Sequence, residues 1–144
     1  MDQRLHLLTL GVRDLEAARR FYVEGLGWDP TLVVEGEVVF IQLGRGLLLG
    51  LYTGLAEDAG TPLAVGAGTP PVSMAHNVDS EQAVVDFVER ARAAGARVVK
   101  EPQPAVFGGL HAYFADPDGF LWEIAYNPGL SFDADGRASF GGGA

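Results

Sequence analysis

Tyr113-Phe114-Ala115-Asp116-Pro117-Asp118-Gly119-Phe120-Leu121-Trp122-Glu123 reads as two short strands joined by a tight turn. Apolar and aromatic residues flank a cluster in which Pro fixes φ, Gly admits positive φ and Asp side chains bond nearby backbone N–H groups. The spacing of Asp116 and Asp118 is therefore that of a turn, not of a catalytic acid pair. If Asp116 to Gly119 form a four-residue loop, Ala115 pairs with Phe120. Ala112 then lies opposite Glu123 and His111 turns away from it, an assignment that a single bulge would reverse.

Working outward, this strand pair closes the second copy of a module written twice. The first copy has an apolar strand at residues 5–12 and a helix beginning at Asp14, with Leu15, Ala18, Phe21 and Tyr22 as one apolar stripe. Strands follow at 28–34, 38–43 and 47–52, separated by Glu35-Gly36-Glu37 and Gly44-Arg45-Gly46. The second copy has a strand at 72–78 and a helix at 79–94, with Asp79 and Gln82 as a capping box and Val84, Val85, Phe87, Val88, Ala91 and Ala94 as its buried face. Strands are predicted at 96–100, 103–107, 110–115 and 120–126, one of them short or irregular because Pro102, Pro104, Gly108 and Gly109 interrupt the pattern. The reading is thus two βαβββ modules, 5–52 and 72–128, a linker at 53–71 rich in Gly and Pro, and a mobile glycine-rich tail at 129–144.

Composition narrows the function. At 144 residues and 48% hydrophobic content, the chain can bury a real core. No apolar run reaches the roughly 18–20 residues of a membrane span, and no signal peptide opens the sequence, so a cytoplasmic location and no membrane partner are expected. Having no cysteine, the protein has no disulfide, thiolate zinc site or cysteine nucleophile. Nineteen acidic against ten basic residues give a net charge of −9, which disfavours nucleic acid and mildly favours cationic ligands. Gly44-Arg45-Gly46 and Gly108-Gly109 do not lead into a helix and so are turns, not phosphate loops.

With the pieces placed, the chain resembles the vicinal oxygen chelate superfamily, which contains glyoxalase I, bleomycin resistance proteins, fosfomycin-modifying enzymes and ring-cleaving dioxygenases. The resemblance is carried by Leu10-Gly11-Val12-Arg13-Asp14-Leu15, Arg20-Phe21-Tyr22, Leu26-Gly27-Trp28, Ala94-Gly95-Ala96 and the stretch from Tyr113 to Glu123. It implies an α+β fold in which paired βαβββ modules form a half-open curled sheet around a cleft. In metal-using members, His or Gln from the first strand and Glu from the last strand of each module hold a divalent ion. Counting back from Asp14 puts the first such position at Leu7; aligning Val12 with Val78 puts its counterpart at Ser73; aligning Gly46 with Gly119 sets Gly50 opposite Glu123. Leucine and glycine carry no ligand and serine is a poor one, so no resident metal is expected; a weakly held divalent ion at Glu123 is the alternative.

Strand parity places His6 away from the cleft and His76 beneath the second helix, and leaves His111 the most ambiguous of the three. Glu123 and His111 are the candidate catalytic pair. Leu7, Thr9, Phe40, Gly50, Ser73, Asn77, Phe107, Phe114 and Leu121 are the candidate ligand contacts, with Trp28 as a further possible wall. Two functions follow from the resemblance. One is a homodimeric binding protein for a small cationic or aromatic molecule; the other is a lyase, glyoxalase-type or dioxygenase-type enzyme using Glu123, with His111 or a weak metal as electrophile.

Overall fold

The computed structural model describes residues 1–141, as two compact units. The first comprises residues 1–69 with 117–119, the second the described residues of 70–116 and from 120 onward. The fold is α+β, with two tandem βαβββ modules, as the sequence predicts.

In the first unit, β1 (Leu7–Gly11), β2 (Pro30–Val34), β3 (Val38–Gln42) and β4 (Leu48–Tyr52) form a sheet of order β1-β4-β3-β2. β1 runs parallel to β4, and the other neighbours are antiparallel. Helix α1 (Leu15–Arg19) starts where the Asp14 carboxylate accepts the Ala17 N–H at 3.0 Å. Its continuation, Arg20–Gly25, widens to a π-helical turn in which the Leu26 N–H reaches the Phe21 carbonyl at 2.9 Å. Adjacent Phe21 and Tyr22 are both buried there, their rings edge to face at 5.0 Å. The sheet face opposed to this helix carries Leu10, Val39, Ile41, Leu49 and Leu51, each at most 3% exposed. Burial of each such side chain is worth about 1.5–3 kcal/mol. Within the expected linker a short helix, α2 (Leu55–Ala59), forms and ends on left-handed Gly60.

The second unit repeats the plan with β5 (Ser73–Asn77), α3 (Glu81–Ala93), β6 (Arg97–Ala105), β7 (Gly109–Ala115) and β8 (Leu121–Tyr126), in sheet order β5-β8-β7-β6. Val84, Val88 and Ala91 of α3 bury against a sheet face bearing Ala112, Phe114, Trp122 and Ile124. The helix is capped by Ser80, whose hydroxyl accepts the Ala83 N–H at 3.1 Å, not by the expected Asp79–Gln82 box; Gln82 instead donates to Asp86 at 2.8 Å. The two strands expected at 96–100 and 103–107 are one, with pairing irregularities between Val98 and Gln103 that absorb Pro102 without ending the strand.

The expected mobile tail contains a two-stranded ribbon, β9 (Leu130–Phe132) paired with β10 (Ala138–Phe140). Its turn is closed by the Asp133 carboxylate, which accepts the N–H groups of Asp135 and Arg137, both at 2.9 Å. Three-residue strands are too short to show a period in sequence. The last three residues of Gly141-Gly142-Gly143-Ala144 lie outside the described residues.

Candidate functional site

Each unit has one sheet face covered by its helix and one that is not. In the first, strand alternation sends Leu7 and Thr9 of β1, Gly50 of β4 and Phe40 of β3 to the uncovered face. A Cβ at Gly50 would sit 3.2 Å from Phe40 Cε1, 3.4 Å from Thr9 Oγ1 and 3.5 Å from Leu7 Cδ1, so these four expected contact residues are neighbours. The patch holds one hydroxyl and no ionisable group.

The second unit differs in kind. Asp116 and Phe120 pair directly: the Asp116 N–H donates to the Phe120 carbonyl at 3.0 Å and the Asp116 carboxylate accepts the Phe120 N–H at 2.9 Å. Only Pro117, Asp118 and Gly119 remain as the turn tip, with Gly119 at φ +90°. This corrects the four-residue loop and shifts the register by one. Ala115 pairs with Leu121, Tyr113 with Glu123 and His111 with Ala125. His111 therefore shares a face with Glu123, as do Tyr113, Leu121, Ser73 and Asn77. Phe114 goes the other way. Expected as a cleft wall, it is fully buried beneath α3 and stacked on Phe87 with ring centroids 6.3 Å apart. Trp28 likewise packs on Tyr22, at 5.6 Å.

His111 Nδ1 lies 3.0 Å from Glu123 Oε1, with side-chain exposures of 13% and 20%. An ionised carboxylate only accepts, so this contact requires hydrogen on Nδ1 and leaves Nε2 of a neutral ring with a free lone pair. The Phe107 and Tyr113 rings stand edge to face with the imidazole, centroids 5.7 and 5.8 Å away. Tyr113 also bonds Glu123. Burial first, and then the charge and hydrogen bond of Glu123, push the Tyr113 phenol above its ordinary pKa. Lys100 Nζ stands 5.9 Å from the Tyr113 ring centroid. Sequence reasoning missed Tyr113 for the same reason that it turned His111 outward, since the two share strand parity.

His76 packs its ring 5.5 Å from Phe87 of α3, the helix side that parity predicts, and burial lowers its pKa. His6 precedes β1 and is exposed.

The repeat allows the metal positions to be checked in three dimensions. The Val12 N–H donates to the Tyr52 carbonyl at 3.1 Å and the Val78 N–H to the Ala125 carbonyl at 2.9 Å. Val12 thus corresponds to Val78 and Tyr52 to Ala125, which makes Gly50 the counterpart of Glu123 and Leu7 that of Ser73. Of these four, only Glu123 offers a carboxylate or imidazole. No group of three His, Asp or Glu side chains able to hold a metal exists among the described residues. The donor set does not fit a resident divalent ion, which takes about four or more strong ligands.

Comparison with known proteins agrees with the fold. A high-resolution crystal structure of a glyoxalase-related enzyme from Fulvimarina pelagi is 38% identical, covering 98% of this chain and 100% of that one, with a TM-score of 0.88. A glyoxalase/bleomycin resistance protein/dioxygenase from Nocardioides is 28% identical over 90% of this chain and 87% of its own, with a TM-score of 0.73. Lactoylglutathione lyase from Agrobacterium tumefaciens, 22% identical over 87% of this chain and 94% of its own, shares the fold with a TM-score of 0.66. No curated protein matches the chain significantly. A sequence model of the glyoxalase/bleomycin resistance protein/dioxygenase superfamily matches residues 4–124, and the chain belongs to that superfamily.

Proposed function

We propose that this protein binds a small organic molecule on the uncovered face of its second sheet, with His111, Glu123 and Tyr113 as the polar contacts, Phe107 as an apolar wall and no catalytic metal. The observation that carries this reading is the His111–Glu123 hydrogen bond. It occupies one oxygen of the sole carboxylate at the superfamily's ligand positions and orients Nε2 as an acceptor for a ligand N–H or O–H. Ser73, Asn77 and Leu121 share that face, and in the first unit Leu7, Thr9, Phe40 and Gly50 offer apolar contact and one hydroxyl.

Two measurements test the proposal. Mass spectrometry after dialysis is expected to find well under one equivalent of Zn²⁺, Ni²⁺, Mn²⁺ or Fe²⁺; a full equivalent of any of these overturns the metal-free reading. A thermal-shift screen against aromatic and cationic natural products is expected to raise Tm for the native protein and not for His111→Ala, because a ligand that prefers the folded state stabilises it by RT ln(1 + [L]/Kd). No shift across the panel, or equal shifts in both proteins, removes the assigned site.

A second reading is favoured by the same pair. An imidazole oriented by a carboxylate is an acid-base group, so the chain can be an enzyme of the lyase or glyoxalase type. In that case His111→Ala abolishes turnover, and Glu123→Gln lowers kcat more than it raises KM. Assembly as a homodimer belongs to the proposal too, because edge strand β6 carries exposed Val99. Sedimentation of a monomer at micromolar concentration removes that part.

A further inference from the structure

We propose that a cavity at the C-terminal ends of β5 and β8, walled by β9, is a second binding site whose ligand is a small organic ammonium ion with an apolar or aromatic body. The cavity measures about 660 Å³ and lies wholly within the second unit. That volume falls inside the roughly 300–1,000 Å³ of small-molecule sites. The inference does not depend on His111, Glu123, Tyr113 or Phe107, none of which lines the cavity; only Asn77, at the end of β5, belongs to both.

Local backbone chemistry builds the cavity. After β8 the Asn127 carboxamide oxygen accepts the Gly129 N–H at 2.9 Å and the Asn127 carbonyl accepts the Leu130 N–H at 3.1 Å, a turn that leads the chain directly into β9. Leu130 and Phe132, on one face of the ribbon, become a wall of the cavity, and Phe132 remains 57% exposed. Isolated two-stranded ribbons are marginal in water, so an apolar ligand covering this face also stabilises the element that presents it.

Charge selects the ligand. Among the described residues of the lining, Asp79 is the only carboxylate and there is no Lys or Arg. An anion placed there meets a like charge with no cation beside it in the lining, whereas an ammonium finds an ion-pair partner. The side chains of Asn77, Asp79 and Tyr126 have no hydrogen-bond partner among the described residues, so three oxygen acceptors are free to take ammonium N–H groups. The rings of Tyr126 and Phe132 can face the cation or its aromatic body. His76 also lines the cavity, and burial lowers its pKa, so at neutral pH it adds no opposing charge. A bare metal ion is a poor occupant, because one carboxylate among amide, phenol and hydrocarbon groups does not complete a coordination shell.

The test is a ¹⁵N–¹H chemical-shift titration of the full chain with phenethylammonium chloride, using 3-phenylpropionate as an anion of similar shape. The expected result is saturable shifts in residues 76–79 and 126–132 with a Kd of millimolar order, at least about tenfold tighter for the ammonium than for the carboxylate. Asp79→Asn is expected to abolish most of that difference. The Asp79 side chain makes no hydrogen bond among the described residues and is exposed, so the substitution should leave the fold intact, as its own spectrum will show. Phe132→Ser provides a second variant, expected to weaken both probes. Equal affinity for the two probes, undiminished binding by Asp79→Asn, no saturable shift in these segments, or shifts confined to His111 and Tyr113 would each overturn the proposal.

Discussion

At the residue scale, the chemistry of the second unit rests on which nitrogen of His111 holds hydrogen. With Glu123 accepting at Nδ1, the Nδ1–H tautomer is favoured. Replacing Glu123 with leucine removes the acceptor, and ¹⁵N spectra of the imidazole should then show hydrogen moving to Nε2. The same variant removes two of the three causes that raise the Tyr113 pKa, so its phenol should ionise at lower pH in an ultraviolet titration, while burial keeps part of the shift. A raised folded-state pKa contributes stability below the unfolded value near pH 10 that is lost as pH rises through the folded value; Glu123→Leu should blunt that alkaline loss. Glu123 was legible in sequence as the one ligating side chain at the superfamily's positions. The orientation of His111 was not, because it depends on whether the turn spends three residues or four, and the Asp116 side chain decides that by bonding the Phe120 N–H.

At the element scale, glycine and capping residues set where strands and helices can lie. A Cβ on Gly109 would collide with the backbone carbonyl of Tyr126, in the β7–β8 ladder. Gly109→Ala should therefore destabilise by about 1–3 kcal/mol, or more if the strand end cannot shift, and should loosen the Leu110–Tyr126 pairing in hydrogen exchange. Ser80→Ala should cost about 1 kcal/mol in thermal or denaturant unfolding, and Asp79→Ala close to nothing, since only Ser80 bonds the free N–H of the α3 first turn. If Asp79→Ala proves the more damaging, the cap assignment is wrong. The sequence offered two adjacent residues of similar capping propensity, and backbone geometry chose between them. The ribbon of β9 and β10 was not legible for a different reason: its strands are three residues long, below the length at which alternation can be told from chance.

At the scale of the whole molecule, stability should respond to acid through His76. Its folded-state pKa is lowered, so the unfolded chain binds a proton first as pH falls below about 6.5. The contribution is present above that value and is lost as pH falls through the folded pKa; His76→Gln should flatten this part of the Tm–pH curve, and an unchanged slope would reject the assignment. No helix among the described residues is long and apolar enough to cross a membrane. The repeated order of apolar strands, capped helices and Gly or Pro turns was enough to determine the two βαβββ modules, because those signals are local and occur twice, while the resemblance to the superfamily was carried by particular motifs, above all Tyr113 to Glu123. The same repeat showed that Leu7, Gly50 and Ser73 leave the superfamily's metal positions without strong ligands. Only the tertiary structure decided which side chains share a face: a shift of one residue in strand pairing exchanges inside for outside, bringing His111 and Tyr113 to Glu123 and sending Phe114 beneath α3.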